Sequence, residues 1–329
     1  MKFKQKILNE GASTKRSEST SLKQGATLMT AAALLTPIPD AMAKILGESY
    51  GIPVIIIAFA RCILQMLSAL PLLLASGGWS ALRVQNLQLN LLRGVLLAAA
   101  SIVFFVALKA MPLADAIAIF FIQPMIVTIL AVVFLKEKPD LRRIAAVFAG
   151  FGGTLLVIQP NLVILGPVAT LPLICAILFA IYLVLGRHLS KSNSSLVMHL
   201  YTGLGGTLSL GVILTIGSLG NIREFHMIAP MDSFAWMLLI VMGLFASLIH
   251  LMYIQAYRLA PAGLLAPLSY IEIVSAIGLG FLLFADFPDT LKGLGIAIII
   301  GSGLMLAWTD RSISQQNSVT RSLSCYRKE

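Results

Sequence analysis

The sequence predicts an all-α integral membrane protein with ten transmembrane helices arranged as two inverted five-helix repeats. Three observations support this prediction: charged residues are scarce, ten apolar runs reach membrane-spanning length, and a series of turn residues recurs in the second half. The 329 residues are 58% apolar and only 12% charged, whereas soluble proteins carry roughly 25% charged residues. So few charges could not cover the surface of a soluble enzyme, a nucleic-acid-binding protein or a secreted disulfide-bonded module.

Ten stretches of the chain are long and apolar enough to cross a bilayer. A transmembrane helix needs roughly 20 mostly apolar residues, and backbone polar groups cannot go unpaired in lipid, so these stretches are expected to be helices. They run near residues 25–46, 53–75, 87–109, 112–135, 141–158, 166–187, 196–218, 233–257, 261–284 and 290–309. Span one contains Pro37 and Pro39, which predict a bend or a break in that helix.

Polar and proline-containing segments separate the spans. Residues 136–140 lie between spans four and five, residues 191–195 lie between spans six and seven, and residues 217–232 form the longest connector. We therefore expect a disordered cytoplasmic tail at 1–23 and a second cytoplasmic tail at 310–329. Between these tails, the first five-helix repeat is expected at 24–160 and the second at 161–309.

The basic residues predict the orientation of the chain. With a cytoplasmic N-terminus and ten alternating spans, nineteen of the 24 lysines and arginines fall in cytoplasmic segments, and Arg93 is among them. Arg61 lies within a span. Such an excess of cytoplasmic Lys and Arg is the rule for multi-pass membrane proteins, so both termini are expected in the cytoplasm.

The second half of the chain repeats the turn residues of the first at an offset of 149 positions. The matched pairs are Ala107 with Ala256, Lys109 with Arg258, Pro112 with Pro261, Glu137 with Asp286, Pro139-Asp140 with Pro288-Asp289, and Gly152 with Gly301. Because each unit holds five spans, an odd number, the second unit must enter the membrane upside down relative to the first. Inverted repeats are typical of secondary transporters, whose substrate binds near the midplane between the halves.

Several short motifs carry a resemblance to a known family over about residues 25–309. These motifs are Asp40-Ala-Met-Ala-Lys44, Phe59-Ala-Arg61, Ala107-Leu-Lys-Ala-Met-Pro112, Gln123-Pro124, Leu135-Lys-Glu-Lys138, Ala266-Pro-Leu-Ser-Tyr-Ile-Glu272 and Phe287-Pro-Asp289. With them the chain resembles the drug/metabolite transporter superfamily, specifically its members built from two EamA domains. The proline usual in span nine is absent, since Ile273 stands at the place that matches Pro124.

The Tyr270-Ile271-Glu272 pattern resembles the subgroup that includes S-adenosylmethionine uptake carriers and vitamin carriers of similar design. The resemblance implies a secondary transporter that moves a small organic metabolite, such as riboflavin or S-adenosylmethionine, across the bacterial inner membrane by alternating access. An efflux carrier for drugs or amino acids is the alternative. Coupling to protons and facilitated exchange both stay open, as do the direction of transport and a homodimeric state.

Ionisable residues inside the spans are the first candidates for the site, since each costs at least roughly 2.5–3.5 kcal/mol at the bilayer centre. Arg61 in span two shares a helix face with Gln65, and its planar fork suits a carboxylate or a phosphate. Glu272 in span nine follows Tyr270 and could bind a cationic substrate group, carry a proton or pair with Arg61. A structural salt bridge is the alternative role for both charges.

Other polar residues form a second group of candidates. Asp40 and Lys44 are spaced i, i+4 near the outer end of span one. They predict either a site at a broken helix or an interfacial ion pair with Lys44 extended outward. His250 and Tyr253 share one face of span eight with Tyr257, which predicts a cavity wall or ordinary packing. Gln123 and Asp115 are weaker cavity candidates, and His199 is expected at the membrane interface.

Other classes of protein lack support in the sequence. It contains no Gly-x-Ser-x-Gly, His-Glu-x-x-His or phosphate-binding loop, and its four histidines are scattered. An enzyme is therefore disfavoured, and no cofactor or metal is expected. The expected partners are a small-molecule substrate and the lipid bilayer, with no nucleic acid.

Overall fold

The computed structural model describes residues 20–135, 141–158, 166–220, 232–260, 265, 268–284, 290–291, 293–298 and 300–302. All regular structure within these ranges is helical, which confirms the all-α prediction. The helices are α1 (residues 20–35), α2 (Pro37–Glu48), α3 (Val54–Gly77), α4 (Leu87–Ala110), α5 (Leu113–Phe120), α6 (Gln123–Leu135), α7 (Leu141–Ile158), α8 (Thr170–Leu189), α9 (Ser195–Leu219), α10 (Ser233–Leu259) and α11 (Ile271–Phe284), followed by helical turns within Gly293–Ser302.

Six helical segments are long and apolar enough to cross a membrane. They correspond to predicted spans one to three and six to eight and comprise Thr20–Glu48, Val54–Leu82, Leu87–Ala110, Gly166–Leu189, Ser195–Leu219 and Ser233–Leu259. Within the described residues, the helices of spans four, five, nine and ten do not meet the same criterion, so the count of ten stays a prediction. The tails at 1–19 and 310–329 and the connector at 136–140 lie outside the described residues.

The helix of the first span is interrupted at Thr36, next to the two prolines. Thr36 separates α1 from α2, and its hydroxyl donates to the carbonyl oxygen of Ala32 at 2.8 Å. Pro37 and Pro39 follow, and neither has an N–H group to continue the helical hydrogen-bond ladder. The predicted bend or break is seen as an interruption of one residue, since the backbone of Thr36 stays in the helical region and Thr20–Glu48 still forms one span-length segment.

Predicted span four is helical but interrupted. Phe121 and Ile122 form a turn between α5 and α6, and Pro124 comes two residues later. A proline ring clashes with the carbonyl four residues before it and leaves that carbonyl without its helical donor, which accounts for the end of α5 at Phe120. An interruption recurs at the matching place in the second half, where Tyr270 forms a turn directly before α11.

Most helix contacts made by the first half of the chain have a counterpart made by the matching helices of the second half. Helix α3 contacts α9, and α5 contacts α11. The contact of α4 with α9 has its counterpart in α3 with α10, and the contact of α4 with α8 has its counterpart in α10 with α2. Likewise α6 packs on α8 while α11 packs on α2. This exchange pattern is what two similar units related by an approximate two-fold axis produce.

Glycines allow the backbones of α4 and α9 to touch. A β-carbon on Gly205 would collide with the carbonyl oxygen of Leu91, and one on Gly94 would collide with the carbonyl oxygen of Thr202. Small residues are the usual means of close helix packing in membranes. The crossing joins one half of the chain to the other and fixes the positions of the polar side chains on either side of it.

Candidate functional site

Five of the polar side chains that the sequence singles out lie close together between the two halves. We call Asp40, Arg61, His250, Tyr253 and Glu272 the central cluster. They come from four helices, namely α2, α3, α10 and α11. Asp40, His250 and Glu272 are buried, with exposed fractions of 8%, 5% and 6%.

Arg61 lies at the centre of this cluster. Its Nη2 lies 2.8 Å from Nε2 of His250, its Nη1 donates to the Ser101 hydroxyl at 3.3 Å, and its guanidinium sits 5.9 Å from the Phe105 ring centroid. A guanidinium can only donate, so Nε2 of His250 is the acceptor and the ring carries its proton on Nδ1. That Nδ1 faces the Tyr182 hydroxyl at 3.5 Å. His250 is therefore neutral in this arrangement.

Asp40 lies near both a cation and a second acid. Asp40 interacts electrostatically with Arg61 and also with Glu272. One guanidinium cannot neutralise two ionised carboxylates, and a surplus charge in a buried site is costly. The cluster therefore reaches charge balance when one of the two acids binds a proton or when a cation enters.

A row of oxygen atoms links Glu272 to the break between α1 and α2. The Tyr253 hydroxyl donates to Oε2 of Glu272 at 3.3 Å and lies 3.0 Å from Oγ1 of Thr36, which lies 2.8 Å from the Ala32 carbonyl oxygen. Three hydrogen bonds need three protons, and the two hydroxyl groups supply only two. A protonated Glu272 would supply the third, so that each group donates to the next as far as Ala32. The protonation state of Glu272 thus sets the hydrogen-bond pattern at the break.

A second contact ties α11 to the same break. The Ser275 hydroxyl, three residues beyond Glu272, donates to the carbonyl oxygen of Leu34 at 2.6 Å. A change around Glu272 can therefore act on α1 through two separate connections.

A pocket adjoins the central cluster between α8 and α10. It has a volume of about 60 Å³, which is below that of a typical ligand pocket, so a ring-sized ligand requires α8 and α10 to move apart. His250 and Tyr253 form the wall that it shares with the cluster, and Phe179 and Tyr182 face them from α8. The wall also contains Arg93, Val127, Leu183, Val184, Gly186, Arg187, Ser190, Met198, Ile254, Tyr257 and Arg258. This mixture of aromatic and cationic side chains suits a flat ring that carries hydrogen-bond acceptors.

Gln65 belongs to a separate network among α3, α9 and α10. Its amide donates to the carbonyl oxygen of His199 at 3.1 Å, and Nε2 of His199 lies 2.8 Å from the Ser247 hydroxyl, which lies 2.7 Å from that of Ser68. His199 is only 1% exposed, so it is buried between the helices, and its expected position near the membrane interface stays a prediction. Fully paired buried groups of this kind fix helix register.

Three further candidates lie outside the central cluster. The Lys44 ammonium donates to the Met111 carbonyl oxygen at 2.9 Å and pairs with Glu48 at 3.5 Å. Its side chain is 8% exposed, which contradicts the alternative in which it extends outward. Gln123 is buried at the first position of α6.

Tyr270 packs against the break of the other half. Its ring lies 5.3 Å from that of Phe121, and these two residues match at the repeat offset of 149. The contact places Tyr270 in the packing between the two interrupted spans.

Two residues of the pocket could not be identified as site residues from the sequence alone. Tyr182 sits in an apolar run with no polar neighbour to single it out. Arg93 was counted with the cytoplasmic segments, but it is 1% exposed, and its guanidinium stacks 4.5 Å from the Tyr182 ring centroid. Its place two turns inside an apolar helix is the one signal that could have identified it.

Comparison with known protein families matches the EamA-like transporter family to residues 23–159 and again to residues 167–308. A riboflavin transporter of Brucella anthropi is 31% identical, over 82% of this chain and 93% of that protein. An S-adenosylmethionine uptake transporter of Rickettsia prowazekii is 26% identical, over 83% and 89%. The pseudopaline exporter CntI of Pseudomonas aeruginosa is 25% identical, over 88% and 98%.

One solved crystal structure shares the fold. It superposes with a TM-score of 0.66 and covers 90% of this chain and 99% of the other, at 17% sequence identity.

Proposed function

The chain belongs to the EamA-like transporter family, and we propose that it is a secondary carrier for a flat-ringed vitamin of the riboflavin type. The observation that carries this proposal is the pocket between α8 and α10. Its wall combines Phe179, Tyr182, Tyr253 and Tyr257 with three arginines, and one side of it is the central cluster. Aromatic faces accept a flat ring, and arginines donate to its carbonyl or hydroxyl groups.

The carrier works by alternating access between two inverted repeats of five spans each, with both termini in the cytoplasm and the bacterial inner membrane as its location. The exchange pattern of the helix contacts supports this proposal, because two similar halves can rock around a site that lies between them. The interruptions at Phe121 and Tyr270 lie against each other and provide a contact about which the halves can move.

Transport is coupled to protons through Glu272. Its carboxyl group is buried, lies near the carboxyl group of Asp40 and sets the donor direction of the row through Tyr253 and Thr36. Proton binding therefore changes both the charge of the cluster and the hydrogen bonds at the helix break. These are the two properties that couple a proton to a conformational change.

A cationic metabolite of the S-adenosylmethionine type is the second candidate substrate. Asp40 and Glu272 favour it, because a bound cation would balance the surplus acid of the cluster. The relatives named S-adenosylmethionine uptake transporters are consistent with this candidate.

Uptake by cells tests the substrate directly. A bacterial strain that requires riboflavin and lacks its own carrier is given the full chain, and the uptake of labelled riboflavin and labelled S-adenosylmethionine is measured. We expect saturable riboflavin uptake that unlabelled riboflavin suppresses. Uptake of both compounds at the level of the empty vector would contradict the proposed function.

A further inference from the structure

One cation of the pocket is buried without a matching charge. Arg93 is 1% exposed, and its Nη1 has no hydrogen-bond partner among the described residues. Its Nε donates to the carbonyl oxygen of Tyr182 at 3.5 Å, which is a long contact for a buried guanidinium. Leaving a charged donor unsatisfied inside a protein is costly, so this arrangement calls for an acceptor that the described part of the chain does not provide.

The wall of the pocket offers Arg93 no acid. The described residues of this wall include three arginines and neither an aspartate nor a glutamate. Arg187 and Arg258 are less buried than Arg93, so their charges are better solvated. Arg93 is therefore the cation whose charge is least screened in the pocket.

A glycine on α8 leaves room for the guanidinium of Arg93. A β-carbon on Gly186 would lie 3.0 Å from Nη2 of Arg93 and 3.3 Å from its Cζ. Glycine on α8 thus lets the side chain reach from α4 across to Tyr182, where it stacks on the ring. The position of the guanidinium is set from two helices.

We propose that Arg93 is the specificity-determining residue of this pocket and donates its free N–H to an acceptor on an uncharged or anionic flat-ringed substrate. This assignment rests on the proposed function, since it names the ligand class of the same site. The ring carbonyl groups of a flavin supply such acceptors. S-adenosylmethionine carries a net positive charge and is disfavoured beside three arginines. The acids of the central cluster do not line this pocket.

The test uses the full chain purified in detergent, with riboflavin fluorescence as the binding signal and S-adenosylmethionine as the competitor. The variants are Arg93→Gln, Arg93→Met and, as a control, Arg83→Gln, which removes an exposed arginine outside the pocket. We expect Arg93→Gln to weaken riboflavin binding by about tenfold to a hundredfold, the loss typical of one hydrogen bond to a charged group. Arg83→Gln keeps wild-type affinity.

Thermal unfolding without ligand separates this role from a structural one. A methionine can fill the space of Arg93 and pack on the Tyr182 ring, and it removes a buried charge that has no acidic partner in the pocket wall, so Arg93→Met should unfold close to the wild-type temperature. A midpoint lower by about 5 °C or more would assign Arg93 to the fold and overturn the proposal. Riboflavin affinity of Arg93→Gln equal to wild type, or tighter binding of S-adenosylmethionine than of riboflavin, would also overturn it.

Failure of the proposed function is detected by the cellular uptake measurement. Cells that express the wild-type chain would then take up neither compound, whereas failure of the Arg93 assignment leaves riboflavin uptake intact. If no flavin binds, the unfolding midpoint of Arg93→Met still decides whether Arg93 is structural.

Discussion

Glu272→Gln is expected to abolish proton-driven accumulation of substrate while the protein folds and binds substrate as before. In the structure the Tyr253 hydroxyl donates to Oε2 of Glu272. A glutamine can accept that bond through its oxygen or, like a protonated carboxyl group, donate to Tyr253 through its N–H, so it can pair with the row to Thr36 and Ala32. The side chain can no longer release a proton, and the cluster is held in its protonated arrangement. Uptake into proteoliposomes with and without an imposed pH gradient measures the effect.

The matched control for this variant is Asp232→Asn. Asp232 is exposed and caps α10 by accepting from the Ala235 amide at 2.7 Å, and an asparagine oxygen can accept the same bond. It therefore removes one carboxylate without touching the central cluster. Wild-type accumulation and unchanged pH dependence in Glu272→Gln would show that the coupling proton binds elsewhere.

Arg61→Gln is expected to reduce transport by about tenfold or more, because removal of one partner from a buried charge cluster is strongly unfavourable. Asp40 would lose its nearby cation, and His250 would lose the donor at its Nε2. Initial rates of riboflavin uptake, normalised to the amount of folded protein in the membrane, measure this effect.

Arg61→Lys distinguishes charge from shape at this position. A lysine keeps the positive charge but lacks the fork that reaches His250 and Ser101 together. We expect a transport rate between those of wild type and Arg61→Gln. Wild-type rates in Arg61→Gln would contradict a central role for this residue.

Much of the fold follows from the sequence because the bilayer restricts the choices. Apolar length predicts helices, and the helical segments that meet the spanning criterion lie where the apolar runs predict them. Pro37 and Pro39 predict the break at Thr36 because a proline removes a backbone donor. The interruption at Tyr270 has no proline to predict it, and it becomes visible only next to its counterpart at Phe121.

The candidate site follows from the sequence only in part. Arg61, Asp40 and Glu272 stand out because charge is expensive within an apolar span, but their positions near one another depend on how α2, α3 and α11 pack. Counting charges along the sequence does not predict the burial of Arg93 and Lys44. Both lie near helix ends, where solvent usually reaches a basic side chain, and tertiary contacts bury both.

Riboflavin counterflow in proteoliposomes tests the central claim, a carrier that exposes its site to one side at a time. Vesicles with the purified chain are loaded with unlabelled riboflavin and diluted into a trace of labelled riboflavin. The account predicts transient accumulation of label above the outside concentration, saturable by external riboflavin and absent from protein-free vesicles. Equilibration of label with no overshoot would indicate a pore or no transport, and it would contradict alternating access.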